Sequence, residues 1–214
     1  QLNATTAGLP GVDFGWTNTS MTTAAPSGAD FLSKADVGTP AGIITNAGSD
    51  LLQSPLIFGD FMHAEAARYN LGNFPSYLML EAYLRFTTAS NNETTTMYGL
   101  FEAGGTSAVT AADAMACMYS DGTNFGLRSG ADSDAGAVVQ TTPLGLRIKL
   151  SLGTTDKIQW WLMTDLAAGF TSQGTIDLQA DLWPAYFGLG QGTSNVIQHH
   201  WCHIWYSVDG AWPT

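Results

Sequence analysis

Hydrophobic and polar side chains alternate along much of the chain from Pro75 onward. In YLMLEAYLRF (77–86) every even-numbered residue is apolar, and in LGLRIKLSL (144–152) every even-numbered residue is Leu or Ile. The odd-numbered positions of the second segment hold Gly, Arg, Lys and Ser. Because successive side chains of a β-strand point to opposite faces, both segments are predicted to be strands with one buried and one solvated face.

Further short apolar segments predict more strands, and clusters of Gly, Asp, Asn and Ser between them predict turns. One such turn is predicted over 130–136. Short strands joined by turns of this kind are typical of an antiparallel sandwich or barrel. The additional predicted strands are 97–103, 114–120, 125–130, 137–142, 157–163, 185–190 and 199–207.

Residues 1–55 differ from the remainder of the chain. They are rich in Thr, Ala, Gly, Pro and Asn and show no sustained period, which predicts an extended N-terminal arm with short strands, one of them at 42–45. Just beyond the arm, FGDFMHAEAARYN (58–70) spaces apolar residues by three and four, which predicts one short helix ending before Gly72. We therefore divide the chain into the arm, 1–55, and a β-sandwich domain, 56–214.

Charged residues make up only 12% of the 214 residues, about half the usual share. A surface so poor in charge suits a secreted protein or a subunit packed in a large assembly. The 18 acidic and 7 basic residues give a formal charge of −11, so no basic stripe is available to neutralise phosphates and nucleic-acid binding is not expected. A membrane role is not expected either, because no apolar run approaches the ~20 residues of a spanning helix.

The order of the predicted strands between residues 75 and 208 resembles that of the concanavalin A-like lectin and glucanase superfamily, which includes laminin-G-like modules. The resemblance is carried by LEAYLRF, MYGLFEAGG, the Tyr-Ser-Asp-Gly turn, GLRIKLSL, IQWWLMTD and HHWCHIWYS. It is a match of strand order rather than of a diagnostic motif. It implies an all-β fold, an antiparallel two-sheet jelly roll, and within that superfamily a non-catalytic viral or phage structural member.

The chain departs from the enzymes of this superfamily. The ExDxxE pattern of family 16 glucanases is absent, and only Glu81 and Glu102 of the four glutamates lie on predicted strands. A glycosidase holds two carboxyl groups ~5–5.5 Å apart when retaining and ~6.5–9.5 Å apart when inverting. Although Glu81 and Glu102 could face each other, we interpret them as solvent-facing strand residues. The resemblance thus implies glycan contact without hydrolysis, and we expect no catalytic residues.

The segment HHWCHIWY (199–206) contains residue types that zinc prefers as ligands. On a strand, however, His200 and Cys202 face one way, whereas His199 and His203 face the other. At most two of these side chains can converge on one ion, so we expect packing rather than metal binding. The face with Cys202 and Ile204 is predicted to join the core.

Other cofactor chemistry is equally limited. The segment DSDAG (132–136), together with Asp121, offers oxygen ligands on predicted turns, so a structural calcium is an alternative to ordinary Asp-Gly turns there. We expect no cofactor and no metal site.

Cys117 and Cys202 either form one disulfide or stay as buried thiols.

Six of the seven tryptophans lie in the last third of the chain. A tryptophan exposed on a sandwich can stack on a sugar ring or anchor a partner protein. Because Trp160 and Trp161 are adjacent on a predicted strand, one of them is expected to face outward. The candidate contacts for a glycan or a partner are Trp161, Trp183, Trp201 and Trp205.

Two classes of function stay open. The first is a non-enzymatic virion structural protein, a capsid decoration or tail-associated subunit, forming a homo-oligomer in which residues 1–55 are buried against protein neighbours. The second is a secreted, extracellular carbohydrate-binding module or degenerate family 16-like glycosidase, which would present exposed tryptophans to surface glycans. The sequence favours the first, because an aperiodic arm needs a partner to become ordered.

Overall fold

The structure, a computed structural model, describes only part of the 214 residues. The described ranges are 17–19, 22–24, 43–45, 50–53, 77–86, 96–101, 114–121, 123–130, 132–139, 144–151, 157–178, 186–191, 197–207 and 209–212.

Fourteen β-strands run through the described residues, and no described residue is helical. The strands are β1 (Thr17–Thr19), β2 (Thr22–Ala24), β3 (Ile43–Thr45), β4 (Asp50–Gln53), β5 (Tyr77–Phe86), β6 (Thr96–Phe101), β7 (Ala114–Ser120), β8 (Asn124–Ser129), β9 (Asp132–Val139), β10 (Leu144–Ser151), β11 (Lys157–Met163), β12 (Thr171–Asp177), β13 (Tyr186–Gln191) and β14 (Ile197–Ser207).

The strands form two sheets of seven. Sheet A has the order β1-β4-β13-β6-β7-β8-β9, and sheet B has the order β12-β11-β10-β5-β14-β3-β2. Each pair of neighbouring strands is antiparallel. The prediction of an all-β, antiparallel two-sheet sandwich is therefore confirmed. Within the described residues, no helix is long and apolar enough to cross a membrane.

The core lies between the two sheets and follows the alternation read from the sequence. Along β10 the even-numbered residues are buried, whereas Arg147, Lys149 and Ser151 are only half-buried. Burying one apolar side chain contributes roughly 1.5–3 kcal/mol, so this alternation fixes which face of each strand turns inward. The largest core side chains are those of Trp160, Tyr98, Phe125 and Leu78.

A second buried cluster lies on the other side of sheet A. It consists of Met97, Phe101, Ala114, Cys117 and Tyr119, whose neighbours along β6 and β7 point into the core. All seven residues of β7 are buried for this reason.

The two cysteines belong to different clusters, since Cys202 lies in the core between the sheets and Cys117 lies in the second cluster. They are buried free thiols, and the Cys117 Sγ donates a hydrogen bond of 2.9 Å to the Leu100 carbonyl. Of the two alternatives left by the sequence, the buried thiols are confirmed.

Four strands come from the segment predicted as an arm, and they form one edge of each sheet. β1 pairs with β4, which pairs with β13, while β2 pairs with β3, which pairs with β14. The short strand expected at 42–45 is confirmed as β3. The division of the chain at residue 55 stays a prediction, and the helix predicted over 58–70 lies outside the described residues.

Two sequence predictions were wrong at strand boundaries. The turn predicted over 130–136 is much shorter, because Gly130 adopts a φ of +56° and the chain reverses at once into β9, which begins at Asp132. The Gly130 N–H donates to the Ala114 carbonyl at 2.6 Å. β12 (Thr171–Asp177) was missed altogether, because it is a polar strand at the edge of sheet B with one buried apolar residue, Ile176.

Candidate functional site

The outer face of sheet B carries the side chains that alternate away from the core. One row of backbone partners crosses four strands there, because His203 pairs with Glu81, Glu81 with Arg147, and Arg147 with Trp161. Side chains at paired positions of neighbouring strands lie on the same face. The row therefore places an imidazole, a carboxylate, a guanidinium and an indole side by side.

Arg147 is the centre of this row. Its Nε donates a hydrogen bond of 2.6 Å to Glu81 Oε2, and both side chains are only partly exposed. Its guanidinium carbon lies 4.0 Å from the ring centroid of Phe170 and 4.5 Å from that of Trp212. A planar guanidinium can hold a carboxylate at its edge and aromatic rings at its faces, which an ammonium group cannot do.

Trp212 joins two tryptophans that belong to different strands. Its ring centroid lies 5.5 Å from that of Trp161 and 5.6 Å from that of Trp205, with interplanar angles of 84° and 78°. Such edge-to-face pairs add about 0.5–1.5 kcal/mol each beyond the area that they bury. All three tryptophans remain partly exposed, and His203 extends the group with a ring 6.0 Å from Trp205.

Lys149 lies beside the tryptophans on β10. Its Nζ is 5.6 Å from the ring centroid of Tyr77 and 5.7 Å from that of Trp161. We call the group formed by Tyr77, Trp161, Phe170, Trp205 and Trp212 around Arg147 and Lys149 the aromatic surface.

A tight turn after β14 brings Trp212 to this surface. The Asp209 carboxylate accepts hydrogen bonds from the Ser207 hydroxyl at 2.8 Å and from the Ala211 N–H at 3.0 Å, while the Gly210 N–H donates to Ser207 Oγ at 2.9 Å. The Ala211 N–H and the Ser207 hydroxyl lower the pKa of Asp209. Gly210 has a φ of +70°, and a Cβ there would lie 3.1 Å from the Tyr77 ring. The turn thus requires glycine for both its backbone angle and its fit.

A second loop, between β11 and β12, brings Phe170 to the surface. The Asp165 carboxylate accepts a hydrogen bond of 2.9 Å from the Ala167 N–H, and the Asp165 carbonyl accepts one of 3.0 Å from the Gly169 N–H. Phe170 then lies over Gly145, where an added Cβ would come within 3.1 Å of its ring. Glycine at 145 on β10 therefore leaves the space that Phe170 occupies beside Arg147.

Two methionines at outward positions of sheet B are buried. Met79 and Met163 alternate away from the core, yet their exposed fractions are 0% and 3%. The outer face of sheet B is therefore a packed layer rather than a bare sheet. Within this layer Tyr83 has a pKa raised to about 12, because of its burial and then of the Glu81 carboxylate, so its phenol is protonated at neutral pH.

The structure brings together only some of the tryptophans predicted as contacts. Trp161 and Trp205 lie on the aromatic surface and are joined by Trp212, which was not among the predicted contacts. Trp201 pairs with Tyr83 along the backbone, but its side chain lies outside the described residues, as does the whole of Trp183. No sequence pattern indicated the roles of Arg147 and Phe170, although the alternation along β10 predicted the outward position of Arg147.

From Cys202 to Trp205 the histidine- and cysteine-rich segment is divided as strand alternation predicts. Between His199 and Trp201 the register of β14 against β5 shifts, so the strict alternation predicted over 199–206 is interrupted there. Cys202 is buried and Ile204 packs against the core, whereas His203 is exposed and Trp205 partly so. Burial raises the pKa of the Cys202 thiol to about 12. Among the described residues, no group of three or more His, Cys, Asp or Glu side chains is placed to hold a metal ion.

Only one of the two groups of candidate calcium ligands lies on a turn as predicted. Residues 132–136 belong to β9 rather than to a turn, and Asp121 caps the β7–β8 turn by accepting hydrogen bonds of 2.6 Å from the N–H groups of Thr123 and Asn124. Of the two predicted strand glutamates, Glu81 is paired with Arg147 on sheet B. Glu102 follows β6 of sheet A and lies outside the described residues.

No protein-family model matches the chain, and no curated protein sequence matches it. Solved structures nevertheless share its fold. The exoplasmic/lumenal domain of VIP36, in a form bound to Ca²⁺ and Man2, has a TM-score of 0.55 and 9% identity, covering 99% of this chain and 89% of that one. The carbohydrate recognition domain of Emp47p has a TM-score of 0.51 and 7% identity, covering 90% and 89% of the two chains.

A phage protein also shares the fold of this chain. The conserved carbohydrate esterase of the Shiga toxin-encoding bacteriophage phi24B has a TM-score of 0.51 and 8% identity, covering 90% of each chain. At these identities the likeness concerns the fold alone. It confirms the antiparallel two-sheet jelly roll that the order of strands predicted.

Proposed function

We propose that this protein is a non-catalytic carbohydrate-binding module that binds sugars on the aromatic surface of sheet B. The observation that carries the proposal is the arrangement of Trp161, Trp212 and Trp205, three partly exposed indoles held in contact on one face. Indole rings present a large apolar area together with one hydrogen-bond donor, which suits the apolar faces and hydroxyl groups of a sugar ring. Arg147 and the two loop turns hold these rings in place before any ligand arrives, which reduces the entropy lost on binding.

The comparisons support a sugar rather than another ligand. Two structures with this fold are named for carbohydrate recognition or are bound to a mannose-containing ligand. Their identity with this chain is too low to carry over any binding residue. The support for a binding surface in this protein therefore comes from the three tryptophans themselves.

A binding role is favoured over catalysis by the state of Glu81. This carboxylate accepts a hydrogen bond of 2.6 Å from Arg147 and is thereby committed to holding the aromatic surface together. A retaining or inverting glycosidase needs a second carboxyl group at a defined distance. On the described strands of sheet B, the other carboxylate on the outer face is that of Asp177, which is paired with Lys157 at the far edge.

The test is a binding measurement on the protein with each tryptophan replaced in turn. A glycan array identifies a ligand, and calorimetry then compares wild type with Trp161→Ala, Trp205→Ala and Trp212→Ala. We expect each substitution to weaken binding by about tenfold or more, as truncation of a central aromatic contact does. Ser133→Ala, at an exposed position of sheet A, is the control and should bind as wild type does. An array without any ligand, or tryptophan variants that bind normally, would rule out this function.

A virion structural role, as a capsid decoration or tail-associated subunit in a homo-oligomer, is the second candidate. It is favoured by the low share of charged residues, 12%, which suits a subunit packed among others. Residues 1–55 support this role less than their composition suggested, because β1 to β4 pair with strands of the same chain. Light scattering at micromolar concentration tests this role, and a strictly monomeric chain would count against it. The first candidate implies an extracellular location and the second a virion.

A further inference from the structure

Positive charge is concentrated on the outer face of sheet B. The chain has seven Lys and Arg residues, and four of them occupy outward positions on the strands of this sheet, namely Arg85, Arg147, Lys149 and Lys157. The acids at outward positions of the described strands of sheet B are two, Glu81 and Asp177. The strands of this face therefore carry a net charge of +2 (four minus two) within a chain of −11, and the turns that hold Trp212 and Phe170 add the carboxylates of Asp209 and Asp165.

Arg147 and Lys157 are held by carboxylates on neighbouring strands. Arg147 is paired with Glu81, and Lys157 is paired with Asp177 near the edge of the sheet. Lys149 differs from both, because its ammonium contacts the rings of Tyr77 and Trp161. Among the residues that the structure describes, no carboxylate lies within salt-bridge distance of Lys149.

The position of Lys149 matters for a ligand on the aromatic surface. Its Nζ lies 5.7 Å from the centroid of Trp161, so a sugar resting against the exposed part of that indole comes next to an ammonium group. An ammonium carries three donors on a flexible stem and attracts a carboxylate strongly where a ligand excludes water. The remaining acid of the row, Glu81, is screened from such a ligand by its own pairing with Arg147.

We propose that the sugar bound by the aromatic surface is an anionic one, a carboxylated glycan such as a polyuronate, and that Lys149 contacts its carboxylate. This inference rests on the proposed carbohydrate-binding function and adds the chemical class of the ligand. The tryptophans supply the contact that any pyranose can make, and Lys149 supplies the discrimination between an acidic sugar and its neutral counterpart.

The experiment compares pairs of oligosaccharides that differ only in the carboxyl group. Hexamers of galacturonate and of mannuronate are each tested beside their methyl esters by calorimetry at low salt. We expect wild type to bind at least one acid about tenfold more tightly than its ester, which corresponds to one charge-assisted hydrogen bond. That preference should shrink as salt is raised, because the contact is electrostatic.

Two lysine variants assign the preference to one residue. Lys149→Met keeps the length of the side chain and removes its charge, so it should bind acid and ester equally, with the affinity that wild type shows for the ester. Lys157→Met removes the same charge elsewhere on the face and should keep the preference. A Lys149→Met variant that still prefers the acid would overturn the inference.

The outcomes separate this inference from the function on which it rests. Equal binding of acid and ester by wild type, or a preference for the ester, overturns the anionic ligand and leaves the carbohydrate-binding function intact. If the protein binds none of the four oligosaccharides and no glycan of an array, both the anionic ligand and the carbohydrate-binding function are ruled out. Binding of hexaglutamate as tightly as of the uronates would point to an acidic protein instead and would also overturn the inference.

Discussion

The guanidinium carbon of Arg147 lies 4.5 Å from the ring centroid of Trp212, so a residue in the middle of β10 holds the turn that follows the last described strand. The same guanidinium contacts Phe170 from a second loop and the Glu81 carboxylate from the neighbouring strand. One side chain thus links two strands and two loops. Removing the Arg147 side chain should therefore disturb the aromatic surface more than removing any single contact between two rings.

Replacing Arg147 by Met should therefore destabilise the protein. The change leaves the partly buried Glu81 carboxylate without its partner and removes the contact between Arg147 and two rings, so we expect the free energy of unfolding in urea to fall by about 1–3 kcal/mol. Lys157→Met is the matched control, because it breaks an exposed pair with Asp177 and should cost less than about 1 kcal/mol. Equal losses in the two variants would contradict the central position of Arg147.

Gly210→Ala should loosen the turn that carries Trp212. Its φ of +70° disfavours alanine by about 1–2 kcal/mol, and the added Cβ would press on the Tyr77 ring at 3.1 Å. Gly169→Ala isolates the backbone strain, because Gly169 has a φ of +71° with nothing within 4 Å of an added Cβ. We expect Gly210→Ala to lower the unfolding free energy further than Gly169→Ala and to change tryptophan fluorescence. Indistinguishable losses would mean that the Tyr77 contact is accommodated without strain.

Both cysteines should be unreactive in the folded protein. Burial raises the pKa of Cys117 well above its ordinary value and that of Cys202 to about 12, so at pH 8 little thiolate forms and reagents have no access. Ellman's reagent should detect no thiol in the native protein and two after unfolding in guanidinium chloride. A rapidly reacting native thiol would contradict the burial of one cysteine, and fewer than two thiols after unfolding would indicate a disulfide.

The turn at Asp209 should weaken in acid. Hydrogen bonds to the carboxylate lower the folded-state pKa of Asp209 below its ordinary value of 3.8, so the ionised form is the one that the fold favours. The stabilisation is complete above pH 3.8 and is lost as the pH falls through the lower folded-state pKa. An NMR titration of the Asp209 carboxyl carbon should give a value below 3.8, and Asp209→Asn should speed hydrogen exchange of the Ala211 amide at neutral pH. A titration at or above 3.8 would contradict the hydrogen bonds of this turn.

Where short apolar segments lie between turn residues, the sequence predicted the strands closely. The predicted bounds of β5, β7 and β11 agree with the structure, because burial of apolar side chains dictates both the strand and its orientation. The same rule placed Cys202 in the core and Trp205 outside. Strand alternation could not identify the aromatic surface, because Trp212 and Phe170 reach that surface from turns. The direction of these turns depends on Gly210, Asp209 and Asp165 and not on any period in the sequence.

Strand pairing explains why other features escaped prediction. Arg147 and Glu81 are 66 positions apart and meet only because β10 pairs with β5 in one particular register. β12 contains six residues that would suit a loop, and it becomes a strand because β11 offers it a hydrogen-bonding edge. Long-range pairing of this kind leaves no local pattern to read.

The polarity of β12 has a consequence for how copies of this protein behave in concentrated solution. β12 is the outer strand of sheet B, and between the partners of Trp160 and Trp161 its register shifts by one extra residue, Gln173. A bulged, hydrophilic outer strand is a poor template for a strand of another molecule. The composition that hides this strand from sequence-based prediction thereby protects the protein against edge-to-edge aggregation.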